Sequence, residues 1–143
     1  MAKQKDVKIN LKFSHGVRSN ITTDPEKIKI IMNNLVGNAL KFTLAGDDIT
    51  IHLRKDKHPS FVQIVVKDTG IGIPKKEQKS IFGKFYQVGN FLTKSVDGTG
   101  LGLTIAKQII EKLGGKISLK SELKKGSTFT FTIPVNGKKQ KPS

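Results

Sequence analysis

Two glycine-rich stretches constrain the fold of this chain most strongly. The first, Asp68-Thr-Gly-Ile-Gly-Ile-Pro74, follows a stretch with strand character, and the second, Gly98-Thr-Gly-Leu-Gly-Leu103, opens a stretch with helical character. Glycine lets backbone amides approach another group without a Cβ collision, and a helix N-terminus favours an anion. Two such turns in one small domain predict a nucleotide that is held from both sides.

Hydrophobic periodicity predicts a mixture of strands and helices. Apolar and polar residues alternate over 7–13, 49–53, 117–119 and 129–133, and 61–67 is predicted as a further long, largely apolar strand, with a turn expected at Gly126-Ser127. Asp24-Pro25-Glu26 is typical of a helix start, because it offers an acidic N-cap and a proline at the first helical position. This mixture predicts a sheet that is covered by helices on one face. The other face would carry Thr50, His52, Thr130 and Thr132 and can meet water.

Helical spacing predicts two long helices and one short one. The first buries a face at three- to four-residue steps, made of Ile28, Ile31, Leu35, Ala39 and Phe42. The second covers residues 101–113, with apolar positions at Leu101, Ile105, Ala106, Ile109, Ile110 and Leu113, and it ends at Gly114-Gly115. A short helix is predicted over residues 75–85. We expect one domain at residues 7–135, a disordered N-terminus at 1–6 and a basic disordered tail at 136–143.

Composition excludes several classes of site. The chain has no cysteine, so disulfides and thiolate metal sites are excluded, and a reducing, intracellular location is expected. No apolar run reaches the roughly 18 residues of a membrane helix, and the first residues lack the apolar segment of a signal peptide. The formal net charge is +15, but the lysines are scattered and tryptophan is absent. Nucleic-acid binding is therefore not expected, since it favours arginine forks and stacking aromatics.

Two sets of polar residues stand out as candidate ligands of a nucleotide. Asp68 ends the third strand on the same side as Val62, Ile64 and Val66, so its carboxylate lies at the tip of an apolar face; it is either a ligand acceptor or an Asx-turn cap. Asn34, Asn38 and Lys41 share one helix face. Amide oxygens suit Mg²⁺ and a lysine suits phosphate. The alternative is a solvated helix face, which two mid-helix asparagines weigh mildly against.

Four motifs in order resemble the catalytic and ATP-binding domain of a sensor histidine kinase, in the wider family shared with gyrase, the Hsp90 chaperone and MutL. Residues 34–43 are similar to the N box, 68–72 to the G1 box, 81–87 to the F box and 98–103 to the G2 box. The resemblance covers roughly residues 7–135. It implies a Bergerat-type α/β sandwich, in which a mixed five-stranded sheet is covered on one face by three helices.

The resemblance also implies roles for individual residues. Asp68 would accept the adenine amino group, while Gly70 and Gly72 would let the backbone pass the nucleotide. Asn38 would coordinate Mg²⁺ with help from Asn34, and Lys41 would contact phosphate oxygens. Residues 87–99 would form a lid over the nucleotide. The other expected ligands are Phe82, Phe85, Gln87, Lys94, Gly98, Thr99, Gly100, Leu101 and Gly102.

The implied activity is that of a protein histidine kinase acting on ATP and Mg²⁺, with Asn34, Asn38, Lys41 and Lys94 as its catalytic residues. The γ-phosphoryl group would pass to a histidine on a separate dimerisation domain, and a response regulator would be an indirect partner. The segment Phe13-Ser-His-Gly-Val-Arg18 is not expected to be the acceptor, because it lacks an acid after His15 and runs into the N box without an intervening helix.

The resemblance leaves other readings open. The chain could be a related serine kinase of the anti-sigma type, a DNA-repair ATPase, or a non-catalytic module regulated by ATP. Hydrolytic members carry a glutamate four residues before the metal-binding asparagine, and here that position is Asn34, so slow hydrolysis is expected. We expect a monomeric domain in the cytoplasm, in contact with a membrane only through a parent sensor.

Overall fold

The computed structural model describes residues 7–14, 24–78, 80–82 and 102–135. Five strands form one sheet: β1 (Lys8–Phe13), β2 (Asp48–Lys55), β3 (Phe61–Asp68), β4 (Ile117–Glu122) and β5 (Gly126–Pro134). Their spatial order is β1-β2-β3-β5-β4. Only the β1–β2 pair is parallel and the other three pairs are antiparallel, which confirms the predicted mixed sheet.

Two α-helices are present in the described part, α1 (Pro25–Lys41) and α2 (Gly102–Lys112), together with a 3-10 turn at Lys75–Glu77. They pack against each other and against the sheet. The third predicted helix, over residues 75–85, is wrong as an α-helix wherever it can be described. Pro74 and the hydrogen bonds from Glu77 to Pro74 and from Gln78 to Lys75 give three-residue steps instead.

The ends of both helices follow from local sequence. The Asp24 side chain accepts hydrogen bonds from the backbone N–H groups of Glu26 at 3.0 Å and Lys27 at 3.4 Å, and Pro25 takes the first helical position as predicted. At the end of α2, Gly114 has φ +97°, its N–H bonds to Glu111, and the N–H of Gly115 bonds to Ile110. That pair of bonds is a Schellman motif, which explains the Gly-Gly sequence.

The core lies between the helices and one face of the sheet. From α1 and its C-cap residue it takes the predicted Ile31, Leu35, Ala39 and Phe42, while Ile28 packs at its margin. From α2 and the residue after it the core takes Ala106, Ile110 and Leu113, while Leu103 and Ile109 pack at its margin and Ile105 is exposed. The opposite sheet face carries the half-buried Thr50, His52, Thr130 and Thr132, as predicted.

Two local predictions are wrong. Gly126 and Ser127 begin β5, and the turn between β4 and β5 falls at residues 123–125, where Lys124 has φ +69°. The apolar face of β1 is also less buried than its alternation implies: Leu11 and Phe13 are 64% and 67% exposed. The reason is position, because β1 is an edge strand and α1 packs over β2 and β3 instead. No helix in the described ranges has the length and apolar character needed to cross a membrane.

Candidate functional site

Asp68 is a buried carboxylate at the end of β3. The alternation of the strand places Val62, Ile64, Val66 and Asp68 on the core face, and Asp68 is only 3% exposed. Its Oδ1 accepts hydrogen bonds from the backbone N–H of Gly70 at 2.9 Å and of Ser127 at 3.3 Å. The bond to Gly70 is the Asx-turn that the sequence left as an alternative. No described residue donates a hydrogen bond to Oδ2.

Burial dominates the electrostatics of this carboxylate. Desolvation raises the pKa of Asp68 above its ordinary value, because the charged form loses its water. The N–H groups of Gly70 and Ser127 lower it, and the nearby charge of Asp47 raises it further. A buried carboxylate with a perturbed pKa at the end of a strand is typical of a functional site.

The glycine turn after Asp68 is pressed against the protein backbone. A Cβ on Gly70 would overlap the carbonyl oxygen of Phe42, the residue that caps α1. A Cβ on Gly72, which has φ +79°, would overlap the carbonyl oxygen of Glu122 at the end of β4. These two close approaches account for both glycines through the fold itself. Their predicted passage beside a nucleotide is an additional role that these contacts do not test.

The turn also joins the glycine stretch to α1. The N–H of Ile71 donates to the carbonyl oxygen of Phe42 at 3.1 Å, so the C-terminal end of α1 is tied to the turn that follows Asp68. Asn34, Asn38 and Lys41 are all half-buried on α1, next to the buried Leu35 and Ala39. The sequence therefore placed this stripe correctly at the margin of the core.

The asparagine amides of α1 offer oxygen atoms of a kind that can bind a hard cation such as Mg²⁺. The side chains of Asn34 and Asn38 make no hydrogen bond to another described residue, so their oxygens are available to a ligand. No group of three metal-binding acids or histidines occurs in the part of the chain that the structure describes. Mg²⁺ usually takes one or two protein oxygens and completes its shell with phosphate and water, which is what this stripe can supply.

Phe82 lies at the other side of the site. Its carbonyl oxygen accepts a hydrogen bond from the hydroxyl of Thr104 at 2.7 Å, in the first turn of α2. Its ring meets that of Phe129 edge to face, with centroids 6.2 Å apart, and Lys107 Nζ lies 5.8 Å from the ring centroid. Phe129 is two residues along β5 from Ser127, so Phe82 is fixed near the strand that opposes Asp68.

Several predicted ligands lie outside the described residues. These are the proposed lid at residues 87–99 and, individually, Phe85, Gln87, Lys94, Gly98, Thr99, Gly100 and Leu101. Gly102 is the first residue of α2, which places the end of the second glycine-rich stretch at a helix N-terminus as predicted.

Sequence reasoning missed three polar residues that surround the Asp68 turn. Ser127 is directly opposite Asp68 in the sheet, and Ser121 is directly opposite Ser127. Gln78 donates to the carbonyl oxygens of Ile73 at 2.8 Å and Ser121 at 3.1 Å. A signal existed for one of them: Ser127 continues the buried alternation of Phe129, Phe131 and Ile133, so a polar residue there is unusual.

Comparison with known proteins identifies the family of this chain. Residues 23–137 match the model of the family described as histidine kinase-, DNA gyrase B- and HSP90-like ATPase. The sensor histidine kinase WalK of Bacillus subtilis (strain 168) is 40% identical over 114 residues, a match covering 80% of this chain and 19% of WalK. The chain spans less than a quarter of the length of such relatives.

Solved structures give the same result. The nucleotide-free catalytic domain of histidine kinase ThkA superimposes with a TM-score of 0.75 at 28% identity, covering 94% of this chain and 84% of that one. Full-length ShkA in complex with AMPPNP superimposes with a TM-score of 0.80 at 29% identity, covering 94% of this chain and 27% of ShkA. The chain therefore belongs to the histidine kinase-, DNA gyrase B- and HSP90-like ATPase family and corresponds to the catalytic ATPase part of sensor histidine kinases.

Proposed function

We propose that this chain binds ATP with Mg²⁺ and donates the γ-phosphoryl group to a histidine on a separate dimerisation domain. Membership of the ATPase family and likeness to the catalytic parts of sensor kinases support ATP as the ligand. The similarity to ShkA, whose structure was solved in complex with AMPPNP, supports an adenine nucleotide as the ligand of a domain with this fold. Signalling through a response regulator, in the cytoplasm, is the setting that such an activity requires.

The observation that carries the proposal is the state of Asp68. Its Oδ1 is held by two backbone N–H groups, and its Oδ2 has no donor among the described residues. A buried polar atom without a partner is costly unless a ligand or water satisfies it. The amino group of adenine is a donor of the right kind, whereas the corresponding oxygen of guanine is an acceptor and would meet the carboxylate with repulsion.

The phosphate end of the nucleotide would lie along α1. Asn38, with Asn34 beside it, would hold Mg²⁺, and Lys41 would contact a phosphate oxygen. Mg²⁺ bridges phosphate oxygens and neutralises the charge that develops during phosphoryl transfer. Gln87 and Lys94 remain the proposed contacts of the γ-phosphate.

The chemical step would be transfer and not hydrolysis. A nitrogen of the acceptor histidine attacks the γ-phosphorus, a P–N bond forms, the bond to the β-phosphate oxygen breaks, and ADP leaves. The protein contributes positioning and charge stabilisation. An amide at Asn34 is a poor base for activating water, which preserves the phosphoryl group for the acceptor.

Thermal unfolding tests the nucleotide site directly. ATP with Mg²⁺ at about 100 times its Kd should stabilise the fold by about 2.7 kcal/mol, and GTP at the same concentration should stabilise it far less. A melting temperature that does not respond to ATP would rule out the site. Equal shifts of the melting temperature with ATP and GTP would show that Asp68 does not select adenine.

Labelled phosphate tests the reaction. With γ-labelled ATP, label should pass to an added histidine-acceptor domain of a sensor kinase and not to a serine-acceptor protein. Without an acceptor, steady-state release of phosphate should be slow. Rapid release would show a hydrolytic ATPase, and labelling of the serine acceptor would favour the anti-sigma alternative.

A further inference from the structure

Three polar residues form a row across the floor of the Asp68 site. Asp68 on β3 is directly opposite Ser127 on β5, and Ser127 is directly opposite Ser121 on β4. All three belong to the positions of their strands that face the helices, and Asp68 and Ser127 are buried. Directly opposed residues on one face have Cβ atoms about 4.5–5.5 Å apart. The row therefore connects the predicted base reader to a serine two strands away.

The hydroxyl of Ser121 has three hydrogen-bonding neighbours. The backbone N–H of Ile73 lies 2.8 Å from Ser121 Oγ, the carbonyl oxygen of Gly126 lies at 3.0 Å, and Ser127 Oγ lies at 2.8 Å. A hydroxyl has one proton to donate and two lone pairs with which to accept. The backbone N–H of Ile73 can only donate, and the carbonyl oxygen of Gly126 can only accept. The direction of two of the three hydrogen bonds is therefore fixed.

This inventory determines the third bond. Ser121 accepts from Ile73 and gives its one proton to Gly126, because otherwise two acceptor oxygens would lie in contact without a proton between them. The remaining lone pair of Ser121 must then receive the proton of Ser127. The Ser127 hydroxyl is thereby committed as a donor towards Ser121, and its own oxygen is left with lone pairs only.

We infer that Ser121 is a positioning residue for base selection, which acts by holding the Ser127 hydroxyl as a hydrogen-bond acceptor beside Asp68. The inference rests on the proposed adenine site. The floor of that site then offers acceptors from two residues, Asp68 Oδ2 and Ser127 Oγ, and a purine that presents an amino group or a bridging water can satisfy both. A purine with a 6-oxo group meets acceptors on both sides. Without Ser121, the Ser127 hydroxyl can turn and donate to that 6-oxo group.

The test compares ATP with inosine triphosphate, which replaces the 6-amino group by an oxygen. Calorimetric titration with Mg²⁺ present gives the ratio of the two affinities for each form of the full chain. Ser121→Ala should lower the ATP preference by about tenfold, equivalent to about 1.4 kcal/mol. Ser121→Thr keeps the hydroxyl and should retain the wild-type ratio. Ser118→Ala, an exposed serine of the same strand, is the matched control and should also retain it.

A double-mutant cycle separates positioning from general loosening of the fold. In a Ser127→Ala background, Ser121→Ala should leave the ratio unchanged, because the hydroxyl that it controls is gone. If Ser121→Ala does not fold, Ser121→Cys takes its place, since a thiol of similar size is a weak acceptor and donor.

The outcomes distinguish this inference from the proposed function. Binding of neither nucleotide to the wild-type chain would overturn both. Two outcomes would overturn the positioning role alone and leave the adenine site in place. In the first, Ser121→Ala keeps the wild-type preference for ATP over inosine triphosphate. In the second, Ser121→Ala lowers that preference by the same factor in the wild-type and Ser127→Ala backgrounds.

Discussion

At the scale of single residues, Asp68 lowers the stability of the fold while it serves the proposed function. Its side chain is buried at the end of an apolar strand face, where a neutral residue would fold more easily. Two backbone N–H groups offset part of the desolvation, but one oxygen has no donor among the described residues. Such a group is expected where a ligand completes the site.

The first prediction is that Asp68→Asn separates folding from binding. Burial raises the folded-state pKa of Asp68, so its contribution to stability is complete below about pH 3.8 and is lost as the pH rises through the folded value. Above the folded-state pKa the ionised carboxylate is a cost, and there the variant without ligand should melt at or above the wild-type temperature. That advantage should shrink as the pH falls towards 3.8.

The same variant should lose the stabilisation by ATP, because an amide NH₂ in place of Oδ2 would meet the amino group of adenine. Thermal melts over a pH series, with and without ATP, measure both effects. A variant that melts lower at every pH, or that still responds fully to ATP, would contradict this account of Asp68.

The second prediction concerns Gly70. A methyl group there would overlap the carbonyl oxygen of Phe42, which is backbone and has little freedom to move. Gly70→Ala should therefore cost about 2–3 kcal/mol in the free energy of unfolding, measured with urea. Gly37→Ala is the matched control, because its Cβ would meet nothing within 4 Å on α1. It should stabilise the helix by up to about 1 kcal/mol. Equal effects of the two changes would show that the close approach at Gly70 is unimportant.

At the scale of elements, the site depends on contacts between segments far apart in the chain. The segment after β3 is joined to the β4–β5 turn by the bond from Lys124 N–H to the Ile71 carbonyl at 2.7 Å. The first turn of α2 holds Phe82 through Thr104. Each of these bonds ties a residue of a predicted motif, Ile71 or Phe82, to an element distant in the chain, so the site forms only when the elements pack.

The third prediction tests the link between α2 and Phe82. Thr104→Val keeps the shape of the side chain but removes the donor to the Phe82 carbonyl oxygen. It should lower the free energy of unfolding by about 1 kcal/mol, and ATP should bind more weakly because Phe82, an expected ligand, loses this hydrogen bond. Thr130→Val, on the other face of the sheet, is the control and should be close to neutral. Urea unfolding and titration with ATP measure the two effects. If Thr104→Val has the same stability and the same ATP affinity as Thr130→Val, this hydrogen bond does not contribute to the site.

At the scale of the whole molecule, the dominant property is the net charge of +15. The ion pairs within the described ranges are three exposed pairs between residues three or four apart, which bring no distant elements together. Exposed local pairs contribute little to stability. The excess charge therefore repels itself across the surface, while it attracts an anionic ligand.

The fourth prediction follows from screening. Raising sodium chloride from about 0.1 M to about 1 M shortens the screening length from about 10 Å to about 3 Å. The chain without nucleotide should melt at a higher temperature, because self-repulsion weakens. The shift produced by a fixed ATP concentration should shrink, because the attraction of the triphosphate weakens as well. Melting curves at both salt concentrations test this, and a parallel rise of both quantities would show that surface charge does not guide binding.

The sequence by itself determined most of what is local. The N-cap at Asp24, the Gly-Gly end of α2, the buried face of α1 and the position of Asp68 on the core side of β3 all follow from periods and capping rules that act over a few residues. Order and spacing of the four motifs were enough to indicate the family, which the comparisons confirm. The residues of the sheet face that lies away from the helices could be listed in advance for the same reason.

Tertiary structure decided what depends on distant partners. The apolar positions of α2 are similar in sequence, but packing against α1 and the sheet buries Ala106 and Ile110 and leaves Ile105 exposed. Edge position left β1 more exposed than its pattern implies, and the true β4–β5 turn fell three residues earlier than predicted. The pairing of β3, β5 and β4 brought Asp68, Ser127 and Ser121 into one row, although Asp68 and Ser127 are 59 residues apart in the chain. Strand register determines which residues are neighbours across a sheet, and the periodicity of a single segment does not predict that register.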